Sequence, residues 1–268
     1  MAFHVVGQQK LYLSTEQSEE LARELVDCIQ KHKFDFDVFM CPSFINIARF
    51  STLVKGTKLH LGAQNFNQAS YGAHTGQVAL SELVSLGSKL VILGHSEVRS
   101  QLSEGYSQIN RKLKICLERG VIPLVCFGDT AADRAANRSE AMIVSDIHIA
   151  FAGISADDLA GKTLLLAYDP PWAIKSNVGD PNTKAADPSI VADMHGLMRA
   201  TIRGLFGEGV VGGLGILYGG SVEYQSTPAL VAQAEVDGLL VGSASTNAKT
   251  FTELLAVVQR SLETSEKT

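Results

Sequence analysis

Residues Leu90–Arg99 read LVILGHSEVR. Four apolar residues of strand character lead into Gly94 and then into His95, Ser96 and Glu97, so a buried strand ends by presenting an imidazole and a carboxylate. A short run that is apolar throughout is what a strand covered on both faces of a parallel sheet requires. In α/β proteins, catalytic groups collect at the C-terminal ends of such strands.

The same strand-then-helix alternation extends in both directions from this stretch. Towards the N-terminus, strand Phe3–Val6 precedes a capping-box pattern that starts at Ser14 and a helix carrying Leu21, Leu25, Val26 and Ile29 at helical spacing. Strand Val38–Met40, helix Phe44–Val54, strand Leu59–Ala63, a long polar loop Gln64–Gly76 and a short helix near Ser81–Leu86 follow. Towards the C-terminus come helix Ser107–Arg119, strand Ile122–Phe127, one Ala-rich helix over Ala131–Ala152, and strand Leu164–Tyr168. A Gly/Pro/Asn/Lys loop, Pro170–Pro188, leads into helix Ser189–Phe206. Strand Gly215–Tyr218, helix Val222–Ala234, strand Gly238–Val241 and helix Lys249–Leu262 complete the series. Eight units with near-continuous apolar strands point to an α/β fold with a closed parallel (β/α)8 barrel, taken as one domain over residues 1–268.

Composition agrees with this class. The 268 residues are 46% hydrophobic and 19% charged, with a net charge of −5, a balance that suits an ordinary globular protein and lacks the basic stripe of a nucleic-acid binder. No apolar run reaches the roughly 18 residues of a membrane helix, and the N-terminus lacks a targeting pattern. Cys28, Cys41, Cys116 and Cys126 sit in apolar segments without metal spacing. They read as reduced thiols of a cytoplasmic protein, with no metal or other cofactor expected.

Closing the barrel gathers the residues that follow each strand at one face. These are Gln8 and Lys10, Gln64 and Asn65, His95 and Glu97, Asp169, Gly219–Ser221, and Gly242 with Ser243. The turns YGGSV and LVGSA each lead towards a helix. Glycines at such turns let backbone N–H groups approach an anion closely, which makes Gly219, Gly220, Ser221, Gly242 and Ser243 a candidate phosphate cradle.

The motifs LGAQN, YGAHTGQ, GHSEVR, YDPPWAI, ILYGGSV and DGLLVGSAS, in this order along essentially the whole chain, resemble those of the triosephosphate isomerase family. The resemblance implies a single (β/α)8 barrel of the TIM type. It also implies an aldose–ketose isomerase that works on a small phosphorylated sugar through an enediolate. By the same resemblance Lys10 neutralises the substrate anion, His95 polarises its carbonyl as a neutral imidazole, and Asp169 occupies the place of the carboxylate base. This division of labour between a carboxylate base and a neutral imidazole is the family's own general mechanism. Glu97 either takes a direct part or holds the loop after the fourth strand. Cys126 reads equally as a family position and as core packing. Gln64, Asn65 and Thr75 belong to a loop that in the family reaches into a partner subunit, which implies a homodimer and leaves Phe66 and Tyr71 otherwise exposed.

The departures from the family pattern cluster near the chemistry. Gln8 and Gln9 replace asparagine and tryptophan, Tyr12 replaces asparagine, and Asp169 replaces a glutamate one methylene longer. Val98 replaces arginine, Gln77 glutamate, His74 an aromatic residue and Ser243 glycine. The segment after Ile174 is longer than the family's lid, with Lys175 where the family has a glycine whose amide approaches phosphate. Three readings fit: an isomerase of three-carbon phosphates, an isomerase of a four-carbon tetrulose phosphate, or a phosphate-ligand binding or scaffold protein without useful turnover. Retention of Lys10, His95 and a carboxylate argues against the third.

Overall fold

The computed structural model describes residues 2–174, 178–179, 183 and 185–265. Eight strands close into a parallel barrel: β1 His4–Gln8, β2 Asp37–Cys41, β3 Leu59–Ala63, β4 Leu90–Leu93, β5 Ile122–Phe127, β6 Leu164–Tyr168, β7 Leu214–Tyr218 and β8 Gly238–Val241. Every neighbouring pair is parallel, and β8 closes on β1 with Val241 opposite Gly7. Consecutive parallel strands need a crossover between them, so the helices are carried to the outside.

Alternation along each strand divides the core into two layers. Val6, Phe39, Leu90, Ile92, Leu124, Leu165, Ala167, Leu217 and Leu240 fill the barrel. Their strand neighbours, among them Val5, Val91, Leu93, Val125, Leu166 and Ile216, face outward against the helices. Because both faces are covered, these strands are apolar throughout rather than alternating.

The first helix, Thr15–His32, starts where Ser14 and Gln17 cap each other and buries Leu21, Ala22, Leu25 and Ile29 against the barrel. Such a cap contributes about 1 kcal/mol. Two helices depart from the sequence reading. The expected helix over Ala131–Ala152 is broken into Ala131–Ala135 and Ser139–Ala150. The break falls at Asn137, whose φ of 54° is left-handed, while the Arg138 amide and guanidinium both return to Asp133. The expected helix Val222–Ala234 shrinks to Thr227–Val231, which begins only where Pro228 supplies its first turn. A further helix, Ser96–Gln101, follows β4 directly; at six residues it is too short to show a period. Among the described residues, no helix is long and apolar enough to cross a membrane.

Candidate active site

The strand ends bring their polar residues to one cavity of about 60 Å³. Gln8, Lys10, His95, Gly219, Gly220, Ser221, Gly242 and Ser243 all line it. Its size lies well below the roughly 300–1,000 Å³ of pockets for drug-sized ligands. Lys175 lies outside the described residues.

Lys10, two residues past β1, has a left-handed backbone with φ 49°. Its Nζ lies 2.6 Å from Glu97 Oε1, which ties the end of β1 to the helix after β4. Lys10 is also close to the second glycine turn: a Cβ built on Gly242 would sit 3.8 Å from its Nζ. Glu223, which the sequence reading does not single out, is the other fully charged residue of the lining among the described residues.

His95 caps the Ser96–Gln101 helix, and its Nδ1 accepts the Glu97 amide at 3.3 Å. A ring that accepts at Nδ1 carries its proton at Nε2. That Nε2 lies 3.8 Å from Asp169 Oδ2. Asp169 follows β6 immediately and is fully buried. Its Oδ2 accepts the Ser96 amide at 2.8 Å, whereas Oδ1 has no hydrogen-bond partner among the described residues. Asp169 does not line the cavity itself; it sits behind His95.

The peptide around Asp169 is tightly held. Its amide donates to Phe127 O at 2.6 Å, and a Cβ at Gly128 would come within 2.1 Å of Asp169 O. Only glycine allows β5 and β6 to approach this closely at their ends. Gly219 closes the other side by donating its amide to Tyr168 O at 2.7 Å.

The glycine turns differ from the simplest expectation for a phosphate cradle. The amides of Gly219 and Ser221 are taken up within the fold, the latter by Ala173 O at 3.0 Å. The amides of Gly220, Gly242 and Ser243 donate to no protein atom among the described residues. The turn after β7 enters a loop because the following helix starts late, while Gly242 leads straight into the 3-10 turn Ser243–Ser245.

A second polar centre, missed in the sequence, adjoins Asp169. Asp129, two residues past β5, is buried and accepts from Tyr168 Oη at 2.7 Å, Trp172 Nε1 at 3.3 Å and Ser139 Oγ at 2.6 Å. The Arg134 guanidinium packs over the Trp172 ring at 4.3 Å. Burial and the Asp129 charge push the Tyr168 phenol up, so it remains a donor. Asp129 thereby holds both residues that flank the Asp169–Pro171 stretch. At the far end of the same connection, the Ala186 amide donates to Tyr218 Oη at 2.9 Å. An acid placed just after a buried strand is the signal that could have found Asp129; the sequence reading draws no polar residue from the end of β5.

The sequence model of the family described as triosephosphate isomerase matches residues 3–258. The chain belongs to the triosephosphate isomerase family. It is 34% identical over 251 residues to the triosephosphate isomerase of Chloroflexus aurantiacus, covering 94% of this chain and 97% of that protein. It is 37% identical over 237 residues to that of Herpetosiphon aurantiacus, covering 88% and 90%. The family match spans the segments that carry Lys10, His95 and Asp169.

Proposed function

We propose that this chain interconverts glyceraldehyde 3-phosphate and dihydroxyacetone phosphate through an enediolate. The observation that most supports this is the Asp169 carboxylate, buried beside His95 with Oδ1 unpartnered among the described residues. A carboxylate held in this way keeps a lone pair for a carbon-bound proton. In the proposed reaction the Asp169 carboxylate turns from the Ser96 amide into the cavity, removes the proton from the carbon beside the carbonyl and returns it to the neighbouring carbon. His95 donates its Nε2 proton to the carbonyl oxygen and takes one back from the neighbouring hydroxyl, and the Lys10 ammonium offsets the charge that develops there. One carbon is oxidised and its neighbour reduced within the same molecule. Glu97 acts through Lys10, Gln8 contacts the substrate from β1, and the amides of Gly220, Gly242 and Ser243 hold the phosphate. Grip on the remote phosphate supplies binding energy that orients the reacting carbons.

The chain is further proposed to act in the cytoplasm as a homodimer joined through the Gln64–Gly76 segment. Leu11, Ile45, Tyr71 and Leu102 are more than 70% exposed, an apolar surface that a second copy would cover. Phe66 corrects one expectation: it is 3% exposed within the single chain, with Lys112 Nζ over its ring at 5.8 Å. Tyr71, at 95%, is the residue of that loop left for the partner. Light scattering at micromolar concentration should give twice the chain mass, and a monodisperse monomer would contradict the dimer.

The activity is tested by a coupled assay with glyceraldehyde 3-phosphate, run beside tetrulose phosphates. Turnover of the three-carbon substrate is expected to dominate. Turnover of the four-carbon substrates alone would assign the site to a larger ketose, and phosphate-ester binding without turnover of either would sink the enzyme reading.

A further inference from the structure

Gln64 follows β3 directly, outside the set of residues assigned to the reaction. Its Nε2 donates to two backbone carbonyls, Lys10 O and Cys41 O, each at 3.1 Å. Lys10 is held in the left-handed region at φ 49°, a conformation that a residue with a Cβ adopts only when its surroundings impose it. The Cys41 carbonyl also receives the Gln9 amide at 3.1 Å, so it stays satisfied without Gln64. At the other end of the same residue, Nζ meets Glu97 Oε1 at 2.6 Å. Lys10 is thus fixed at its backbone from β3 and at its tip from the helix after β4.

We propose that Gln64 is a positioning residue: its side-chain amide clamps the Lys10 peptide in the left-handed conformation and so sets where the Lys10 ammonium enters the cavity. The functional consequence rests on the role given to Lys10 above. The clamp itself does not. Without the Gln64 donor, the Lys10 peptide returns to negative φ and the ammonium withdraws from Glu97 and from the turn at Gly242. A displacement of about 1 Å at such a group is enough to change function strongly.

Two measurements test this on the full chain. Crystal structures of Gln64→Met, and of Gln64→Glu should the first variant fold poorly, read the clamp directly. Lys10 is expected to leave the left-handed region and its Nζ to move beyond 4 Å from Glu97; retention of both features would overturn the proposal. Calorimetric affinity for inorganic phosphate is then compared in wild type, Gln64→Met, Lys10→Met and the double variant. Gln64→Met is expected to weaken phosphate binding at least fivefold when Lys10 is present and less than twofold when it is absent. Equal losses in the two backgrounds would show a merely structural role and would also overturn it. Failure of the wild type to bind phosphate would count against the anion site of the proposed function, while the crystal structures would still decide the clamp.

Discussion

Acidification should destabilise this protein through His195, the most deeply buried histidine among the described residues. His195, on helix Pro188–Phe206, is fully buried, with Nδ1 3.0 Å from Glu235 O and Nε2 without a partner among the described residues. Its ring meets Tyr168, the residue before Asp169, edge to face at 6.4 Å. Burial pushes its pKa from 6.5 down to about 4, with the Arg199 charge acting in the same direction. The unfolded chain therefore takes up a proton below about pH 6.5, whereas the folded protein resists until about pH 4. Stability from this group is fully present above 6.5 and is lost as pH falls to about 4. At about 1.4 kcal/mol per pH unit, the loss approaches about 3 kcal/mol. Urea unfolding at several pH values between 7 and 4 should show this slope in wild type and not in His195→Gln, whose amide can still serve Glu235 O. Asp146 works in the opposite sense, since burial raises its pKa to about 6, so the difference between the two proteins, not the wild-type slope alone, isolates His195. Parallel curves for the two proteins would refute the reasoning.

Two other perturbations address the proposed base and its supports. Gly128→Ala places a Cβ against the Asp169 carbonyl and must displace that peptide by about 1 Å, so kcat/KM should fall about a hundredfold while the circular dichroism stays that of an α/β barrel. Asp129→Ala removes the shared acceptor of Tyr168, Trp172 and Ser139, at about 1–3 kcal/mol for each buried group left unpaired. The melting temperature should drop and the emission of the single tryptophan, Trp172, should change, with Asp129→Asn restoring part of both.

The barrel was legible because each strand is a short apolar run closed by glycine or polar residues, and five of the eight strands, β3, β4, β5, β6 and β8, have the bounds read from the sequence. Strand ends such as His95 and Asp169 followed from topology alone, since closure carries the ends of all parallel strands to one face. The misread helices have local causes. Asn137 breaks an otherwise alanine-rich run through a left-handed residue, and Pro228 delays the start of the helix after β7. Neither event disturbs hydrophobic periodicity, so neither is visible to it. The Asp129 centre and the Gln64 contacts depend on groups from three or more elements meeting in space. For Gln64 the residue type gives no hint of this, because a glutamine after a strand is ordinarily solvated; for Asp129 the only hint was an acid placed just after a buried strand. Phe66 shows the converse: an apolar residue in a long polar loop reads as exposed until the loop folds back over the barrel.

In the proposed reaction Asp169 moves a carbon-bound proton of a three-carbon phosphate. Proton magnetic resonance of dihydroxyacetone phosphate in deuterium oxide measures that step without a coupling enzyme. Wild type is predicted to wash deuterium into the carbon that becomes the aldehyde position, and Asp169→Asn, isosteric but without a base, to slow the exchange by roughly a hundredfold to ten-thousandfold. Exchange at the same rate in both proteins, or none in the wild type, would contradict the account.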